Sequence, residues 1–254
     1  MKENHLSKKD LTKHLAPFFK EHGFVKKGNA FYKIENQIAQ FVYFCGDCNI
    51  KIFYGILPLY LPREFLMLEY GEEMNYSSWV KCSVRAITFY YLWYGGAIDD
   101  NEVENSRSVL KYVISDDIEQ LNDWFNELKE FCTNYMFHYF QSIDSPEKLL
   151  KFTKEPQNRC KWSAPDLWFY YLRAYTNFYL SNFRDMKKDI KLGINACKRF
   201  GLREDLIIKY QNEMDKLIEL SKAPKQEREA FINECINFTA DHCFKNIKRE
   251  PYIM

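Results

Sequence analysis

The chain has 254 residues, 46% hydrophobic and 28% charged, a composition that excludes wholesale disorder and supports a packed core. Its 36 Lys and Arg balance 35 Asp and Glu. The whole-chain attraction that drives nonspecific nucleic-acid binding or adsorption to anionic membranes is therefore missing, and only a local basic patch could serve. The length predicts one large domain or two smaller ones.

No apolar run follows the charged first ten residues, and no stretch approaches the roughly eighteen apolar residues of a membrane span. Neither a signal peptide nor a spanning helix is expected, and the reading is of a cytosolic protein. Eight cysteines (Cys45, Cys48, Cys82, Cys132, Cys160, Cys197, Cys235 and Cys243) sit mostly in apolar patterns and read as reduced, buried thiols.

Ser7-Lys8-Lys9-Asp10 is a capping-box pattern that opens a helix with Leu11, Leu15, Phe18 and Phe19 on one face. Gly23 is a suitable left-handed terminator, with Phe24 just beyond it. Pro17 predicts a kink or two helical pieces joined near Ala16. From Phe24 the period changes to two. Gly28-Asn29 can take the positive φ angles of a tight hairpin between Phe24–Lys27 and Ala30–Glu35, and Asn36 marks the next corner. Gln37–Cys45 and Ile50–Leu57 are two further strands around Gly46-Asp47-Cys48-Asn49, completing an antiparallel meander. Val80, Cys82, Val84 and Ala86 alternate as one more strand that continues through Tyr94. Ser115-Asp116-Asp117 opens a helix with Leu121, Trp124, Phe125, Leu128, Phe131 and Cys132 as its stripe, and Ser145-Pro146-Glu147 opens a shorter one. Residues 1–152 thus read as an α+β domain, a sheet covered by helices.

The run His22-Gly23-Phe24-Val25-Lys26-Lys27-Gly28-Asn29-Ala30-Phe31-Tyr32 carries a resemblance, together with the apolar strand Ile38–Phe44, the Cys82–Arg85 strand and Ser145-Pro146-Glu147. They resemble the bacterial domain-of-unknown-function 4304 family over roughly residues 6 to 152. The Gly-Phe-x-Lys-Lys-Gly-Asn-x-Phe-Tyr run is its most specific part. The resemblance implies no catalytic residues, and it does not extend beyond 152.

Residues 153–163, polar and carrying Pro156, read as a linker. Beyond it, 164–254 read as an all-α extension. Ser163 and Asp166 form a capping box ahead of Leu167, Tyr170, Tyr171, Ala174, Phe178 and Tyr179. A second helix starts at Asn182–Asp185 and stops at Gly201; Leu202–Ser221 and Gln226–Ile247 follow, with Pro224 between them. No repeat joins the helical pairs, so a bundle is expected rather than a solenoid.

Candidate chemistry is sparse. Lys26-Lys27-Gly28-Asn29 could cradle an anion, with turn amides beside two ammonium groups, although such a turn needs Gly-Asn in any case. Lys51, Lys81 and Arg85 beside Phe53 and Tyr54 could form a face that stacks bases, although aromatic strands ordinarily fill a sheet core. Cys45 and Cys48 have the spacing of half a zinc site, with no second pair. The five histidines show no metal spacing, and Asp99-Asp100 and Asp116-Asp117 do not converge on one point. No nucleotide loop or nucleophile elbow is present, and no cofactor or metal is expected. The leading expectation is a non-enzymatic protein-interaction module, a class that includes toxin-neutralising immunity proteins and mobile-element accessories. Its candidate binding residues are Lys26, Lys27, Gly28, Asn29, Lys51 and Arg85. The rivals are a nucleic-acid-associated protein using the basic side of the sheet, and an enzyme of unrecognised family.

Overall fold

The computed structural model describes residues 8–45, 51–62, 118–154, 165–199, 201 and 203–243. Helix α1 (Lys8–Glu21) buries Leu11, Leu15 and Phe19 completely, as their shared face requires. It is one helix through Pro17, not two pieces. The hydrogen bond that Pro17 removes is the one to Lys13, and both residues lie on the solvent side, where water can take the freed carbonyl. The helix ends in a Schellman motif: Phe24 N donates to Phe19 O at 2.9 Å, Gly23 N donates to Lys20 O at 3.0 Å, and Gly23 holds φ 83°. The flanking Phe19 and Phe24 rings meet edge to face at 5.6 Å.

Strands β1 (Val25–Lys27), β2 (Ala30–Glu35), β3 (Ile38–Cys45) and β4 (Lys51–Pro58) form an antiparallel sheet in the order β1-β2-β3-β4. The meander and the α+β class are as expected from the sequence. The β2–β3 corner is Asn36-Gln37, both with positive φ (49° and 62°), the backbone of a type I′ turn without glycine. Asn36 Nδ2 donates to Asp144 O at 3.0 Å. Helix α2 (Ile118–Phe131), a π-helical turn (Cys132–Met136) and α3 (Phe137–Ser142) supply Phe125, Leu128, Cys132, Met136 and Phe140 to the core of this first unit. Phe19 stacks on Phe31 at 4.3 Å, and Phe31 meets Phe44 at 6.1 Å.

Contacts divide the chain at Leu57/Pro58 and at Asp144/Ser145. Helix α4 (Pro146–Lys154) therefore belongs with the second unit, packing on α5 (Pro165–Tyr179), whereas the sequence reading ended the first domain at 152. Thr153 and Lys154 form its last turn, with Thr153 2% exposed, because the amphipathic period of Leu149, Leu150 and Thr153 continues into the stretch read as linker. The rest of that linker, the Val80–Tyr94 strand and the Ser115–Asp117 helix start lie outside the described residues.

The second unit also contains the buried segment Leu59-Tyr60-Leu61 and helices α6 (Phe183–Arg199), α7 (Glu204–Lys222) and α8 (Lys225–Cys243). Chain neighbours pack on one another, and α5 also contacts α7. Residues 171–178 are all buried, the signature of a helix surrounded by its neighbours.

Candidate functional site

The β1–β2 hairpin carries four of the sequence-derived candidates. Its two-residue loop lies between the paired Lys27 and Ala30. Gly28 has φ 58° whereas Asn29 does not enter the positive-φ region, so one glycine provides the turn where two positive angles were expected. Phe44 N donates to Asn29 O at 2.9 Å, pinning the loop to β3.

The two lysines diverge. Side chains alternate along a strand, so Lys26 shares a face with its partner Phe31, the α1 side of the sheet. Lys27 shares the opposite face with Val25, Ala30 and Tyr32. The strand therefore sends the two side chains off on opposite faces and does not by itself gather both beside the Gly28-Asn29 turn. Lys26 is exposed and Lys27 is half-buried. Beyond the loop, hydrogen-bonded and non-hydrogen-bonded pairs alternate, so within β1 Lys26 alone turns its backbone N–H and C=O away from β2. Among the described strands β1 is an edge, and three residues carrying two lysines are a poor template for another strand.

The basic aromatic face is not assembled by the described residues either. Tyr54 is 7% exposed and packs edge-on against Phe131, Tyr139 and Phe140 at 6.1, 5.8 and 6.2 Å. Tyr32, Phe41, Tyr43 and Phe44 are also buried, so none of these rings offers a face for a base. Lys51 begins β4, but its side chain and that of Phe53, together with all of Lys81 and Arg85, lie outside the described residues. Cys45 ends β3 and Cys48 lies outside. Among the described residues no group of three or more His, Cys, Asp or Glu is placed to hold a metal.

Three histidines have local partners. His22 Nδ1 bonds with Phe18 O at 2.8 Å and His138 Nδ1 with Thr133 O at 3.1 Å. The His14 ring stacks on Phe125 at 3.6 Å, and burial there, with Lys129 nearby, holds its pKa below the ordinary value. These are structural roles. Burial also pushes the Cys132 and Cys197 thiols up, away from the thiolate a nucleophile needs.

The most polar place in the described interior is one that pattern reading missed. Arg173 on α5 forms an ion pair with Asp189 on α6, and Asn177 Nδ2 donates to the other Asp189 oxygen at 2.9 Å. Arg173 and Asp189 are 9% and 1% exposed. Burial raises the pKa of the Asp189 carboxyl, opposed by Arg173 and by Lys154 of α4, while Asp185 adds to the rise. Arg173 also lies over the Tyr170 ring at 5.3 Å. One turn along, Thr176 Oγ1 donates to Leu172 O at 2.7 Å, which leaves it to accept from Tyr60 OH at 3.0 Å. Tyr60 stacks on Tyr179 at 4.3 Å. Gly193 of α6 receives the Tyr210 hydroxyl of α7, which would lie 2.1 Å from any Cβ there. These contacts join α5 to α6, α6 to α7 and the Tyr60 segment to α5, and point into packing, so the arrangement fixes how these elements sit.

A signal for the cluster existed. Arg173 and Asn177 stand four apart, with Thr176 beside them, within a stretch from Leu167 to Tyr179 that is otherwise apolar or aromatic, and polar groups in such a helix need partners. No family model matches this chain, and no curated protein or solved structure matches it. Among the described residues no helix is long and apolar enough to cross a membrane.

Proposed function

We propose that the chain is a non-enzymatic protein-interaction module whose hairpin rim meets an acidic surface of a partner protein. The observation that carries this reading is the burial of the sheet's described aromatic rings beside an exposed Lys26 and a 54% exposed Val25. The sheet's accessible rim is a small, charged, firmly anchored projection rather than a stacking platform. Arg173, Asn177 and Asp189, the buried polar cluster described in the second unit, join α5 to α6, which supports a scaffold rather than a catalytic centre. Base recognition gains no support from Tyr54, Tyr32 and Tyr43, whose rings are buried, while Phe53, Lys51, Lys81 and Arg85 lie outside the described side chains.

The test is affinity capture with the tagged full chain at low and high salt, comparing wild type with Lys26→Glu. A stoichiometric protein retained by wild type and lost by a variant of unchanged circular dichroism is the expected result. Nucleic acid eluted by salt, or a protein retained equally by both forms, would overturn the assignment to this rim.

A further inference from the structure

We draw no further inference here: the strongest candidate, the outward face of α7 around the 51% exposed Ile208 and Leu220, is otherwise a charged helix face, and nothing among the described residues shows what would cover it.

Discussion

The two units are held together by different physics. In the first, Phe19, Phe24, Phe31, Phe44, Phe137 and Phe140 form a continuous aromatic packing between helices and sheet. Its attraction is summed over many ring contacts, none of which carries a charge that must be individually satisfied. In the second, α5 and α6 share apolar contacts but also enclose Arg173, Asn177 and Asp189, groups that tolerate burial only when their partners are in place. The first core should therefore respond to lost volume in proportion, and the second should respond to a single lost partner out of proportion.

The largest expected effect tests that difference directly. Arg173→Met keeps much of the side-chain volume but leaves Asp189 buried without its cation, so a loss of about 3–5 kcal/mol is expected. The double variant Arg173→Met with Asp189→Leu removes both charges and should recover much of that loss. Phe31→Leu in the first unit should cost only about 1–2 kcal/mol, because only packing is removed. Chemical denaturation of all four proteins measures this. A double variant as unstable as Arg173→Met alone would mean the charges are not what makes the second core sensitive.

The steric side of the same contrast lies at Gly193. A Cβ there would stand 2.1 Å from Tyr210 Oη, 2.9 Å from its Cζ and 3.1 Å from Tyr170 Cβ, with no flexible chain end able to yield. Gly193→Ala should cost about 1–3 kcal/mol or more. Adding Tyr210→Phe removes the closest atom and should restore part of the loss, since the Tyr210 hydroxyl has no hydrogen-bond partner among the described residues. A fully tolerated Gly193→Ala would show that α7 docks more loosely than α5 and α6 do.

The pH dependence sharpens the electrostatic half. The raised pKa of Asp189 means the folded state holds that proton more tightly than the unfolded chain. Its contribution is fully present below the ordinary carboxylate value of 3.8 and is lost as pH rises through the folded value. Wild type should therefore lose ground against Asp189→Asn as pH climbs from acid toward neutral, measured as the difference between their unfolding free energies. The opposite slope would mean that the pull of Arg173 and Lys154 outweighs burial.

Much of the first unit was readable because its signals are local. Gly23 followed by Phe24 specifies a helix stop, and Gly28-Asn29 between alternating runs specifies a hairpin. The Asn36-Gln37 corner was located by Asn36, but the positive φ of Gln37 follows from register, with Glu35 paired to Ile38 leaving only two residues to turn. The divergence of Lys26 and Lys27 was also implicit, since adjacent strand residues face opposite sides. The Arg173–Asp189 pair was not readable in the same way: the residues come from different helices, and only the packing angle brings them together. The membership of α4 was hidden for a related reason, because an amphipathic stripe shows that a face is covered but not by which neighbour.

The smallest expected effect has the opposite sign and concerns how α5 ends. Its last turn closes as a Schellman motif, with Asn182 N donating to Asn177 O at 2.7 Å and Ser181 N donating to Phe178 O at 3.0 Å. The same geometry closes α1, where Gly23 fills the left-handed position, and Gly201 holds φ 61° just beyond α6. Here Ser181 holds φ 59°, which crowds its Cβ against the backbone. Ser181→Gly relieves that crowding but gives the unfolded chain more freedom, so the net gain should be small, about 0.5 kcal/mol. Ser181 has interactions of its own, so the two contributions compete directly. A gain measured by denaturation would show that the turn stores strain; a loss would show that the Ser181 side chain holds the α5–α6 corner together and extends the polar fastening of the second unit to its surface.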